Sequence, residues 1–272
     1  MALLFEPIEL RGMKARNRIV VSPMCQYSAR EGHVTDWHLV HLGKFAQGGA
    51  GIVFVEATAV EARGRITHGD TGIWDDAHIA GLARIAEFVR SQGALPAIQL
   101  AHAGRKASMA RPWYGNGPLT DADLARGERA WDIVAPTAEP LGQGWLRPRP
   151  IGERDEEALL AAYRAAVRRA VAAGFEVLEI HAAHGYLLHS FLSPISNGGT
   201  REERMRFPLR VVRTVREKPQ FARHVMQVLA HRLRRMNEVF SEMKAQREAG
   251  ELFRSQHARK WRAPHADDTI PM

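Results

Sequence analysis

Four short runs rich in β-branched and other apolar residues recur in the first 212 residues, separated by helix-like segments that end at glycine. Arg18-Ile19-Val20-Val21 closes at Ser22-Pro23, and Gly51-Ile52-Val53-Phe54-Val55-Glu56 is apolar almost throughout. Pro96-Ala97-Ile98-Gln99-Leu100 and Phe175-Glu176-Val177-Leu178-Glu179-Ile180-His181 complete the set. Strands that do not alternate polar with apolar residues are buried on both faces, which is the mark of parallel sheets. Between them, Trp37 to Gln47 stops at Gly48-Gly49, Asp75 to Gln92 stops at Gly93, and Asp155 to Ala173 stops at Gly174. In the second of these, Ile79, Leu82, Ile85, Ala86 and Val89 share one face, as an amphipathic helix requires. Strands alternating with helices predict an α/β fold, either an open doubly wound sheet or a TIM barrel. No Gly-x-Gly-x-x-Gly follows any of the strands, which weakens the dinucleotide-binding version of the open sheet. The stretch from Ala107 to Pro150 breaks the rhythm with Pro112, Trp113, Gly115, Gly117, Trp131 and Trp145. Excursions of that length are usually lids or interface elements.

Composition narrows the class. With 45% hydrophobic and 25% charged residues the chain reads as a soluble globular protein rather than a disordered or fibrous one. One cysteine, Cys25, excludes an internal disulfide framework and a cysteine-based zinc site, and suits a reducing, cytoplasmic setting. The start, MALLFEPIEL, lacks the basic segment and long apolar core of a secretory signal. No run of about 18 apolar residues exists, so no membrane span is expected.

In a parallel α/β sheet the working residues stand at the C-terminal ends of the strands. Here those ends carry Ser22-Pro23-Met24-Cys25-Gln26-Tyr27, Glu56-Ala57-Thr58, Gln99-Leu100-Ala101-His102 and His181-Ala182-Ala183-His184-Gly185-Tyr186. A thiol, a carboxamide, two tyrosines and a histidine pair converging on one rim point to a reaction centre. Taken singly, Cys25 reads as a small buried hydrophobe, and an isolated His181/His184 pair as two structural histidines. A metal site is the rival reading of the pair, but no acidic residue lies between them as in a zincin helix and no third ligand stands out. His38, His41, His102 and His189 read as structural or rim residues.

Together these segments resemble the Old Yellow Enzyme family of FMN-dependent NAD(P)H oxidoreductases, most closely its thermophilic-like bacterial branch. The matching text is Asn17-Arg18-Ile19-Val20-Val21-Ser22-Pro23-Met24-Cys25, Thr35-Asp36-Trp37-His38, Gln99 through Lys106, Glu179 through Leu187, Phe191-Leu192-Ser193-Pro194 and Arg204-Met205-Arg206-Phe207. It runs in order from about Leu4 to Arg216. The resemblance implies an FMN-binding TIM barrel reduced by NADPH or NADH that passes hydride to an activated alkene. It places Ser22, Pro23, Met24, Cys25, Ala57 and Gln99 against the flavin, with Cys25 tuning its redox behaviour. His181 and His184 would bind the substrate's carbonyl or nitro oxygen, Tyr27 would line the substrate pocket, and Tyr186 would protonate the substrate. Each role suits the side chain: a carboxamide both donates and accepts, paired imidazoles can polarise an oxygen, and a phenol can act as general acid.

Two departures accompany the match. The family carries an Arg-x-Asp-x-Tyr stretch where Ser196-Asn197 here meets Gly198-Gly199-Thr200 directly. After Arg216 the family continues with a fifth strand bearing a flavin-contacting Arg and ends in a phosphate-gripping Gly-Arg loop, and that pattern does not follow here. Instead Phe221, Val225, Val228, Leu229, Leu233, Met236, Val239, Phe240 and Met243 recur at helical spacing, and a second basic piece spans Phe253 to Arg262. Residues 213–272 hold 13 Lys and Arg against 7 Asp and Glu, and so carry most of the net +8. A solvated basic face explains that charge better than nucleic-acid readout, for which no motif is present. The expectation is therefore an incomplete TIM barrel of about four βα units in residues 1–216, followed by a basic helical tail in 217–272. A half barrel leaves sheet edges uncovered, which packing of the tail helix over it or association of two copies would relieve. The alternative reading is a truncated, catalytically inactive relative with weak or no flavin binding.

Overall fold

The computed structural model describes residues 2–10 and 12–216. An antiparallel pair, β1 (Ile8–Leu10) and β2 (Met13–Ala15), precedes the repeating part. That part runs β3 (Val20–Val21), α1 (Asp36–Gln47), β4 (Ile52–Ala59), α2 (Ile79–Ser91) and β5 (Leu95–Ala101). The excursion follows, holding α3 (Asp121–Ala125) and a small parallel pair, β6 (Val134–Ala135) with β7 (Arg149–Pro150). Then come α4 (Glu153–Ala172), β8 (Val177–Ile180), α5 (Leu187–Leu192) and α6 (Arg201–Arg216).

Strands β3, β4, β5 and β8 form one sheet in that order, every pairing parallel. Sequence order equals spatial order, as in consecutive βα units of a TIM barrel, and four such units are present. All eight residues of β4 are buried, because neighbours flank it on both sides and helices cover its face. Helix α1 packs against β4 through the buried Leu42 and Ala46, and α2 and α4 pack against β5, with Ile85, Val89, Leu159, Tyr163 and Val167 each at most 2% exposed. At the edge, Val20 stays half exposed.

Local chemistry explains the helix limits. Thr35 caps α1, its backbone N–H donating to His38 Nδ1 at 3.0 Å. Asp75 accepts from the Ala77 N–H at 2.9 Å in the turn that leads into α2. After α4 the chain turns through Gly174 at φ +88°, a left-handed conformation that glycine takes without steric cost. The strand predicted to end at Glu56 continues to Ala59. Pairing with β5 skips a step between Val55 and Ala57, so Glu56 is the extra residue of a β-bulge and the ladder resumes beyond it. The helical patterns expected over 221–243 and 253–262 lie outside the described residues. Among the described residues no helix is long and apolar enough to cross a membrane.

Candidate active site

The C-terminal ends of β4, β5 and β8 meet around a small pocket whose lining includes Ala57, Ala59, Asp70, Ala101, His181 and Tyr186. Beside it Cys25, Tyr27 and Tyr186 pack against one apolar cluster of Ile66, Ala103, Ala107, Met109 and Ile133. Residues 159 positions apart in the chain thus share a wall. Cys25 Sγ and the Tyr27 hydroxyl are close enough for each to shift the other's proton affinity.

The histidine pair leaves the end of β8. His181 is buried and its N–H donates to the Leu100 carbonyl at 2.9 Å, holding it in line with the sheet. His184 adopts φ +58°, a turn conformation uncommon outside glycine, and it stands exposed at the rim. The two rings are 5.3 Å apart and nearly perpendicular, and the Tyr186 ring lies 4.8 Å from His181. Among the described residues no three His, Cys, Asp or Glu side chains are grouped to hold a metal ion.

Burial sets the protonation of this rim. It pushes the Cys25 thiol well above its ordinary range, and the charges of Asp70 and Glu56 add to the effect. It raises the Tyr27 and Tyr186 phenols too, with Cys25 and Asp70 contributing to both. Each of the three therefore keeps its proton at neutral pH.

The structure brings Cys25, Tyr27, Ala57, His181, His184 and Tyr186 into one neighbourhood. Gln99 sits opposite Ala57 in the ladder, but its Nε2 donates to Glu179 Oε1 on β8 at 2.9 Å, a partner the sequence does not announce. Ser22, Pro23 and Met24 form the loop that leaves β3, with Ser22 and Met24 exposed. Met24 supplies its carbonyl to Gln26 Nε2 at 2.8 Å.

Three residues of the rim were not singled out from the sequence. Lys106 Nζ donates to the His184 carbonyl at 2.7 Å and lies 5.5 Å from the centre of the Tyr186 ring. Asp70 is 2% exposed and accepts from the Ile66 and Thr67 amides and the Thr67 hydroxyl. Burial still lifts its carboxyl to about 6. Glu56, 3% exposed, is lifted by burial to about 8. Lys106 belongs to a segment that carries the family resemblance, whereas the two carboxylates have no periodic signature. The excursion also reaches the rim. Trp113 meets Tyr27 edge-on at 6.2 Å, and Arg111 Nη1 donates to the Tyr27 carbonyl at 3.0 Å.

The family model for NADH:flavin oxidoreductases and NADH oxidases matches residues 3–266, past the boundary placed at 216 from the sequence. An NADH:flavin oxidoreductase of Gibberella zeae is 46% identical over 222 residues, covering 78% of this chain and 53% of that one. An NADPH dehydrogenase of Geobacillus is 42% identical over 223 residues, covering 79% and 60%. Among solved structures, morphinone reductase matches with a TM-score of 0.66 at 27% identity, covering 80% of this chain and 60% of that one. An Old Yellow Enzyme from Pichia matches with a TM-score of 0.67 at 25% identity, covering 79% and 56%. The chain thus spans between half and two thirds of the length of these relatives. A four-unit parallel sheet with its histidine–tyrosine rim, and a family match over most of the sequence, lead to one assignment: this chain belongs to the NADH:flavin oxidoreductase / NADH oxidase family, with Old Yellow Enzyme among its structural relatives.

Proposed function

We propose that the chain binds FMN at the C-terminal rim of its sheet and, with NADPH or NADH as reductant, reduces activated alkenes. FMN is the cofactor of the family. The observation that carries the reading is the grouping of His181, His184 and Tyr186 beside a pocket floored by alanines. Ala57, Ala59, Ala101 and Ala103 keep the strand ends small where larger side chains would fill the space a flat ring needs. Gln99 has a carbonyl oxygen and a second N–H besides the one given to Glu179, and these suit the hydrogen-bonding edge of a flavin. Bound FMN supplies two-electron hydride chemistry.

The chain's own residues do the rest. His181 and His184 donate N–H groups to the carbonyl or nitro oxygen of the alkene and draw electron density from its β-carbon. Tyr186, held protonated by burial, gives its proton to the α-carbon. Tyr27 and Cys25 close the pocket from the β3 side and keep water from it. The wall from Tyr27 to Trp113 gives the substrate an aromatic face.

The deciding experiment is titration of the purified full chain with FMN, followed by NADPH and an enone such as cyclohexenone. A perturbed flavin spectrum and enone-dependent NADPH oxidation are expected. A protein that leaves the FMN spectrum unchanged at high protein concentration would sink the reading.

A further inference from the structure

Glu56 takes no part in the chemistry just described, yet its placement is among the most constrained on the rim. It is the extra residue where β4 slips against β5, and bulges beside active sites re-aim a side chain. The carboxyl it re-aims is buried. Its Oε2 accepts the Gln26 N–H at 2.9 Å. Its own backbone is fixed from the other side, since Thr58 Oγ1 donates to the Glu56 carbonyl at 2.8 Å.

The surroundings are arranged for an acceptor. His38, reaching in from α1, uses Nδ1 to accept from Thr35, so in the neutral ring the hydrogen is on Nε2. That nitrogen lies 3.8 Å from Glu56 Oε2. Neither His38 Nε2 nor Glu56 Oε1 has a hydrogen-bond partner in this buried space. Asp70 and Cys25 are the other titratable groups whose fields Glu56 shares. The Gln26 and Tyr27 amides belong to the loop that presents the Cys25 thiol and the Tyr27 ring to the pocket. Tyr27 itself is at φ +50°, a conformation that persists only where the surroundings hold it. Arg111 holds its carbonyl end, and Glu56 holds the amide of the residue before it.

We propose that Glu56 is the positioning residue of the Cys25–Tyr27 loop. From its bulge it holds the amide of Gln26, the residue between Cys25 and Tyr27, and so sets where the thiol and the phenol stand. The purpose of that placement rests on the flavin reading above, but the placement itself does not.

The chain's single cysteine makes the test direct, because any thiol reaction reports this loop alone. The rate of Cys25 with a disulfide reagent such as Ellman's is measured on the full chain without flavin. Glu56→Met keeps length and loses both acceptor oxygens, while Glu56→Gln keeps one, and neither carries charge. Any electrostatic effect on the thiol is therefore common to the two. The expected result is a rate for Glu56→Met about tenfold above that of Glu56→Gln, because local opening exposes the thiol. Val211→Ala, which empties a buried site on α6, should leave the rate at the native value. Equal rates for the two Glu56 variants, or an equal rise in Val211→Ala, would overturn the proposal. Should Glu56→Met fail to fold, hydrogen exchange at the Gln26 amide of the native protein decides. Strong protection is expected, and exchange at unstructured rates overturns the proposal. A chain that never binds FMN would remove the functional reading and leave these outcomes intact.

Discussion

The two ends of the parallel sheet solve the same packing problem with opposite kinds of polar chemistry. At the N-terminal end, Arg16 threads between the elements and gives Nε to the Ala50 carbonyl at 3.1 Å, Nη1 to Gln92 at 2.7 Å, and Nη2 to Ala46 at 2.7 Å. Asn17 beside it donates to the Gly49 carbonyl and accepts from the Ile19 amide. Every one of these partners is backbone, and each fastens the end of a helix to the start of a strand. At the C-terminal end titratable side chains are buried near one another instead. Burial lifts the proton affinities of Cys25, Tyr27, Tyr186, Asp70 and Glu56, with the charge of Asp70 adding to the lift of the other four, and Tyr27 and His184 stand at positive φ. A floor satisfied by backbone contributes stability, whereas a rim of mutually opposed side chains stores the capacity for chemistry at a cost in stability. Substitutions at the two ends should therefore fail in different assays.

The sharpest separation is expected from Tyr186→Phe. Loss of the general acid should slow the alkene half-reaction by about 10²–10⁴-fold, or roughly 4 kcal/mol of barrier, with NADPH oxidation at the flavin unchanged. Stopped-flow measurement of the two half-reactions checks it, and equal slowing of both would break the assignment of the proton to Tyr186. Arg16→Ala should do the reverse. Removing a cation that serves three carbonyls is expected to lower unfolding free energy by about 3 kcal/mol in urea. FMN affinity of the fraction that stays folded should not change. A variant as stable as the native protein would show that the floor is not held by Arg16.

How much of this was readable beforehand follows from the same contrast. The strands and helices of the sheet announce themselves because burial on both faces and amphipathic spacing leave a pattern in sequence, and α1, β4, α2, β5, α4 and β8 lie where those patterns do. The rim residues at strand ends were readable by position, as Cys25, His181, His184 and Tyr186 illustrate. In the sequence Glu56 follows four apolar residues and reads as the polar end of its strand. Only the bulge, a matter of register with β5, lets the strand run on and the carboxyl turn inward. Asp70 is held by its own turn, through the Ile66 and Thr67 amides, and no periodicity marks such a loop. The engagement of Gln99 by Glu179 depends on two strands 80 residues apart being neighbours in register. Local pattern foretells elements, and cross-strand register decides which polar groups meet.

The smallest of these effects probes the cost of the rim directly. Asp70 is buried, and its carboxyl is lifted from the ordinary 3.8 to about 6, with burial the leading cause and the Ile66 and Thr67 hydrogen bonds opposing it. A carboxyl whose affinity for its proton is higher folded than unfolded favours folding while it is protonated. The unfolded chain releases that proton near the ordinary value and the folded one only near pH 6, so the contribution is lost as pH rises through that window. Relative to Asp70→Asn, which does not titrate, the native protein should lose about 2 kcal/mol of stability between about pH 4.5 and about pH 7.5. Glu56, lifted to about 8, titrates in the same sense in both proteins, and Arg65 is the cation that moderates Asp70 in the native one. The absolute stability of Asp70→Asn is not the readout, since the asparagine keeps only one acceptor for the three donors of its turn. The readout is the difference between two urea midpoint curves across pH. If the curves run parallel, the Asp70 proton affinity is the same folded and unfolded, and the rim carries no stored electrostatic cost at this position.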